Sequence, residues 1–208
     1  MVPVRDAELV QIVDRALADA TERARTGDGT GVSGSWLACR PGCTPCCHGV
    51  FRISALDAER LRAALAQLEH DDGARAEALR MRALLLRDDL RSAFPGDAST
   101  GALDPEENST WDEFADLPEA DAPCPVLDPV TGRCDLYTGR PLTCRIFGPP
   151  VQNEAGLGIC ELCYVGASET EILHGEMHLE HHPLEEELNS GLPSQETIIA
   201  WAVSADRP

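Results

Sequence analysis

The chain contains no lysine, so all 17 residues counted as lysine plus arginine are arginines. This absence excludes Schiff-base chemistry, the lysine of a P-loop and any lysine general base. Long apolar runs are missing too: none approaches the ~18 to 20 residues of a membrane-spanning helix. The first residues also lack the pattern of a secretory signal. We therefore expect a soluble, cytoplasmic protein.

Positive charge is scarce, and the formal net charge is −19. Residues 1–96 hold 14 acidic side chains and 13 arginines, whereas residues 97–208 hold 22 acidic side chains and 4 arginines. Nucleic-acid binding needs a basic surface that displaces counterions, and an anionic membrane would repel this chain. The sequence thus argues against nucleic-acid and membrane partners and leaves a protein partner open.

Hydrophobic periodicity predicts an α+β, mainly helical fold, with several helices around an irregular cysteine-rich core and one short β-hairpin. The length of 208 residues fits a single domain. We expect three parts in it. These are an N-terminal helix in residues 1–26, a cysteine-cluster core in 35–165 with an acidic loop at 95–123, and an acidic helical appendage in 166–208.

Local signals divide the chain further. The pattern predicts a helix over 6–25 ended by the glycines of 27–31, a short strand at 50–53, and two leucine-striped helices, one capped by Ser54 and one over 74–94. In the acidic loop, Trp111, Phe114 and Leu117 suggest that part of it docks on the domain. Turn residues predict a hairpin over 126–136. A helix from Ser168 to Pro183 with a capping box, and a short apolar element at 198–203, complete the chain.

The nine cysteines are clustered along the chain. Four lie within nine residues, three follow at ten-residue intervals, and a C-x2-C pair closes the set. Reducing compartments favour metal or redox roles over disulfides, and an odd count resists complete pairing. Thiolates bind zinc or iron–sulfur clusters, usually with four protein ligands per site. The sequence therefore predicts a polythiolate metal-binding protein with one or two sites.

Spacing alone leaves the metal open. Cys124 followed by Pro125 and widely scattered single cysteines favour an iron–sulfur cluster over a compact zinc knuckle. Vicinal Cys46 and Cys47 would point to opposite sides of an extended segment, so they could serve different metals. Alternatively, one of them is a buried small hydrophobe, or the two form a redox-active disulfide.

Other side chains could assist metal binding by the cysteines. Arg40, Arg133 and Arg145 lie beside cysteines and could donate hydrogen bonds to sulfur. His48 is a candidate auxiliary ligand or proton donor. A group of four histidines recurs at near-helical spacing and could offer a second kind of metal site, although a solvated helix face is the favoured interpretation. These are His174, His178, His181 and His182.

The cysteine blocks resemble the YkgJ-like CxxCxxCC family. The resemblance rests on Cys39-x3-Cys43-x2-Cys46-Cys47, on Cys124-Pro125-Val126-Leu127, and on Arg140-Pro141-Leu142-Thr143-Cys144-Arg145-Ile146-Phe147. It implies a zinc- or iron-chelating domain over about residues 39–163. The first gap is three residues where the family name has two, so Cys39 is left out of the ligand set. The predicted ligands are Cys43, Cys46, Cys47, Cys124, Cys134, Cys144, Cys160 and Cys163.

Two functions follow from these observations. The preferred one is a metal-binding protein that holds an iron–sulfur cluster, or zinc, through its thiolates. The alternative is an iron–sulfur-dependent enzyme that modifies a protein or a small molecule, in the manner of the methylase-like relatives of this family. In that case the 95–123 loop would be a lid, and His48, Arg145 or the histidine group would supply acid–base groups. No separate methyl-donor motif is present, and no catalytic residue is assigned.

Overall fold

A computed structural model of the chain describes residues 1–25, 34–105, 110–153, 156–192 and 195–204. About half of the chain is helical, which confirms the mainly helical α+β prediction. The helices are α1 (Asp6–Arg23), α2 (Ala55–Asp71), α3 (Gly73–Leu90), α4 (Trp111–Ala115), α5 (Leu142–Ile146), α6 (Glu169–His174), α7 (His182–Ser190) and α8 (Ile199–Ser204). The strands pair in sequence as three antiparallel hairpins: β1 (Gly96–Asp97) with β2 (Ala102–Leu103), β3 (Leu127–Asp128) with β4 (Arg133–Cys134), and β5 (Val151–Asn153) with β6 (Gly156–Gly158).

The chain folds into two compact units. We call residues 1–2, 44–141 and 189–208 the helical-pair unit, and residues 3–43 and 142–188 the α1 unit. Glycines 27–31, predicted to end the first helix, lie outside the described residues. The single-domain organisation stays a prediction.

In the helical-pair unit, α2 and α3 pack on each other and on α8. Ser54 caps α2 by accepting a hydrogen bond from the Asp57 amide at 3.1 Å, as predicted. The leucine stripes of both helices are buried, and all six residues of α8 are buried against them. The core of this unit is thus built from the apolar faces that the periodicity indicated.

The acidic segment 95–123 belongs to the same unit and is more ordered than a loop. It contains β1, β2, α4 and a 3-10 turn over Pro118–Asp121. Phe114 is 2% exposed and meets Phe94 edge to face, with ring centroids 6.0 Å apart. The predicted docking of this segment is confirmed, and its attachment is an aromatic core contact.

The strand expected at 50–53 does not form. Ile53 makes only an isolated antiparallel bridge to Thr197, with N–O distances of 2.8 and 3.0 Å. The predicted hairpin does form as β3 and β4, with Leu127 opposite Cys134. Gly132 allows its tight turn because it adopts a φ of 65°.

In the α1 unit, Leu9, Val13 and Ala20 form the buried face of α1, which packs on α5. The helix predicted from Ser168 to Pro183 is wrong in extent. Its capping box is present, but α6 ends at His174, and Pro183 lies in the first turn of α7 instead. Proline is tolerated there because first-turn amides have no partner within the helix. Among the described residues, no helix has both the length and the apolar character to cross a bilayer.

Candidate metal centres

Four cysteines lie in the helical-pair unit: Cys46, Cys47, Cys124 and Cys134. The first two lie in a 3-10 turn over Pro45–Cys47. The Cys124 amide donates a hydrogen bond to the Cys47 carbonyl at 2.7 Å, and His48 forms an antiparallel bridge with Pro123. These contacts hold the segment around Cys46 and Cys47 beside Cys124.

The β3–β4 hairpin brings Cys134 to the same place. Cys124 is 9% exposed, and Cys47 and Cys134 pack against the same apolar cluster. Burial raises the pKa of Cys124 to about 12, and the nearby Cys134 and Cys46 sulfurs add to this rise. Burial is also the main cause of the raised pKa of Cys134. Without metal these buried thiols are protonated, so metal binding there releases protons.

The other five cysteines lie in the α1 unit: Cys39, Cys43, Cys144, Cys160 and Cys163. The last two join across a turn in which the Cys163 amide donates to the Cys160 carbonyl at 2.8 Å. The Ala38 amide donates to the Cys163 sulfur at 3.4 Å. This turn is the C-x2-C geometry in which two sulfurs face one metal.

Cys39 joins this group through its sulfur. Its thiol hydrogen-bonds to Cys163, which raises the pKa of Cys39 and lowers that of Cys163 below its usual range. Gly148 makes room for the contact, since a Cβ there would lie 2.7 Å from the Cys39 sulfur. Cys39 therefore keeps its proton and donates the hydrogen bond, and Cys163 accepts it as the more readily ionised of the two.

Cys43 and Cys144 are the two remaining cysteines of the α1 unit. The charge of Cys43 contributes to the raised pKa values of Cys39 and Cys160, which places it near both. Cys144 lies on α5, where the adjacent Arg145 is 6% exposed and bonds Asp14 at 3.0 Å. The sequence predicted that Arg145 donates hydrogen bonds to sulfur, and in the structure its guanidinium donates to the Asp14 carboxylate.

Sequence reasoning omitted Cys39 because of the three-residue gap to Cys43. The structure absorbs the extra residue in a turn: the Cys43 amide donates to the Arg40 carbonyl at 2.9 Å, and Gly42 adopts a φ of 87°. Pro41 and Gly42 were the sequence signal for this turn. All eight cysteines predicted as ligands belong to one group or the other, and their role as ligands stays a prediction.

The histidines do not share one helix. His174 ends α6, His178 lies in the connection, and His181 and His182 lie at the start of α7. His48 is exposed beside Cys47 in the helical-pair unit. Arg133 is exposed on β4, and Arg40 donates to the Ala38 carbonyl at 3.4 Å.

The sequence profile of the CxxCxxCC family, described as "Putative zinc- or iron-chelating domain", matches residues 38–164. The match covers more than half of the chain and includes all nine cysteines. The chain belongs to the CxxCxxCC family. The family description supports a metal partner for the thiols and names zinc or iron. No curated protein and no solved structure matches the chain significantly.

Proposed function

We propose that the protein binds metal through thiolates at two centres, one in each compact unit. The division of the nine cysteines supports this proposal: four lie in the helical-pair unit and five in the α1 unit. A tetrahedral zinc ion and a four-iron cluster each take four thiolates. Each unit therefore holds enough ligands for a complete centre.

The first proposed centre uses Cys46, Cys47, Cys124 and Cys134. The Cys124 amide contact and the β3–β4 register bring Cys47, Cys124 and Cys134 together. Cys46 and Cys134 both add to the raised pKa of Cys124, which supports their proximity to it. Cys124 is buried, Cys47 and Cys134 are half-buried and Cys46 is exposed, and a buried thiolate costs free energy unless a cation compensates it. A metal at this position would supply that compensation, so the donor set fits a thiolate-bound metal.

The second proposed centre uses Cys39, Cys43, Cys160 and Cys163, and Cys144 is the fifth thiol of the same unit. Cys43, Cys160 and Cys163 all raise the pKa of Cys39, and Cys43 and Cys163 also raise that of Cys160, which supports this grouping. Cys163, with its lowered pKa, would provide the first thiolate. The remaining thiols would lose their protons as the metal binds.

Within this proposal we favour iron–sulfur clusters, and zinc is the alternative. Neither group consists of two C-x2-C pairs, the arrangement typical of zinc knuckles. Each group instead draws ligands from segments far apart in sequence, as the scattered cysteines indicated. Such thiolates need a reducing compartment, which is why we place the protein in the cytoplasm. The cluster-dependent enzyme stays a prediction without support from a described contact.

Anaerobic purification followed by metal and sulfide analysis tests the proposed cofactor. Iron with acid-labile sulfide and a brown absorption spectrum would support clusters. Colourless protein with stoichiometric zinc would show that the metal is zinc and not a cluster, and it would be compatible with two centres. Metal-free protein with quantitative disulfides would refute both forms.

A further inference from the structure

A group of nitrogen and oxygen ligands lies at the start of α7, within the α1 unit. His181 precedes the helix, His182 begins it, and Glu185 follows one turn later. The Glu185 amide donates to the His181 carbonyl at 3.0 Å, so the first helical turn brings the three side chains together. One possible ligand atom from each residue lies within 4.8 Å of the other two.

His181 is the buried member of this group. It is 5% exposed, and its Nδ1 has no hydrogen-bond partner among the described residues. Its Nε2 lies 3.5 Å from a carboxylate oxygen of Glu185. Buried ring nitrogens normally have a partner, so an unpaired one is unusual. A cation bound at Nε2, the nitrogen that faces Glu185, would be held by the imidazole and the carboxylate together.

His182 makes the group accessible. Its side chain is exposed, and its ring centroid lies 4.1 Å from that of His181. The side chain of Glu185 is 22% exposed. An ion can therefore enter from solvent and keep water in its remaining coordination positions.

The donor set selects the kind of ion. Imidazole suits zinc, nickel and copper, while magnesium and calcium prefer oxygen ligands alone. Two imidazoles and one carboxylate with an open position match a three-ligand zinc site. Ligand atoms across such a site lie about 3.3 Å apart at metal–nitrogen distances of ~2.0–2.1 Å. Since the ligand atoms lie within 4.8 Å of one another, the side chains would close by at most about 1.5 Å, and exposed His182 has room to move.

We propose that His181, His182 and Glu185 form a thiolate-free site for a divalent transition-metal ion, with zinc as the bound ion. This site goes beyond the cysteine centres and does not depend on them. It uses two of the four histidines that the sequence singled out and leaves His174 and His178 outside.

Zinc titration of the untagged full chain, with its cysteine centres already loaded, tests the site. We expect one additional zinc ion per wild-type chain. His182→Ala and Glu185→Gln should each weaken that binding by at least ~tenfold, since loss of even an outer partner of a metal ligand costs about 10- to 100-fold. His182 is exposed, so its variant should fold normally. Exposed His178→Ala is the matched control and should bind like wild type.

Cobalt distinguishes this site from the cysteine centres. Cobalt added to the same loaded protein should give weak visible bands without thiolate-to-cobalt charge transfer. The metal bound at the cysteine centres, measured in the same samples, should not differ between the variants. An absent extra zinc ion, an unaffected His182→Ala variant, or equal losses in His182→Ala and His178→Ala would each overturn the proposal. None of these results would bear on the thiolate centres.

Discussion

The buried carboxylate of Asp135 holds in place the chain segment that carries Cys134. Its side chain is 1% exposed and bonds Arg75 Nε at 2.6 Å and Arg82 Nη2 at 2.7 Å. Its amide donates to the Val126 carbonyl at 2.8 Å. A buried carboxylate is stable only when it is paired in this way. Since Cys134 is the preceding residue, the two arginines also hold Cys134 in position.

Asp135→Asn should destabilise the protein. Because both arginines are partly exposed, we expect a loss of about 2–3 kcal/mol, below the ~3–5 kcal/mol of a fully buried broken pair. Chemical denaturation measures it. Half-buried Asp128 in the same hairpin accepts hydrogen bonds from the Val130 amide and the Thr131 hydroxyl. Asp128→Asn is the matched control, because the asparagine oxygen can still accept, and it should cost less than half as much. Equal losses would mean that the buried pairing of Asp135 has no special role.

Cys39→Ser tests whether Cys39, which sequence reasoning left out of the ligand set, binds metal. Serine keeps the size of the side chain but replaces a soft thiolate by a poor metal ligand. We expect metal content to fall at the centre of the α1 unit, with the centre of the helical-pair unit unchanged. Metal analysis of wild type and variant measures this. Full retention of the metal would mean that Cys39 is not a ligand, as its spacing suggested. It would favour Cys144 as the fourth ligand of that centre.

At the scale of elements, long helices were predictable, and short elements were predictable only where turn or capping residues mark them, as in the β3–β4 hairpin. The leucine stripes of α2 and α3 repeat over several turns, so their period is visible in the sequence. Strands β1 and β2 are two residues each, too short to show any period. The break between α6 and α7 was missed because the helical pattern of the acidic stretch continues across it. Gly175 and Pro183 are the residues in the sequence that indicate a helix end there.

Phe114 is the buried side chain of α4 and packs in the same core cluster as Phe94 and Trp201. Phe114→Ala should cost about 3–5 kcal/mol, the usual range for removing a buried aromatic ring. Glu113→Ala on the exposed side of α4 is the control and should stay within about 0.5 kcal/mol of wild type. Thermal or chemical unfolding measures both. A small effect of Phe114→Ala would mean that segment 95–123 is not attached through this ring.

At the scale of the whole molecule, the sequence predicted the metal-binding class but not the division of the cysteines between two compact units. Counting thiols and their spacing shows that more than one tetrahedral site is possible, and the family match agrees with metal binding. The division itself depends on contacts across distant segments, such as Cys47 with Cys124 and Cys39 with Cys163. The boundary between the units falls between Cys43 and Thr44, inside the motif that looked like one cluster.

Metal content of paired cysteine variants tests the two-centre proposal most directly. We would compare wild type with Cys124→Ser plus Cys134→Ser, with Cys160→Ser plus Cys163→Ser, and with all four changes together. A His182→Ala background removes any contribution from the histidine site, and circular dichroism checks that the helices persist. Two independent centres predict that each pair removes about half of the bound metal and that the four changes remove nearly all of it. Loss of all metal from either pair alone would contradict the account and show that the cysteines form a single centre.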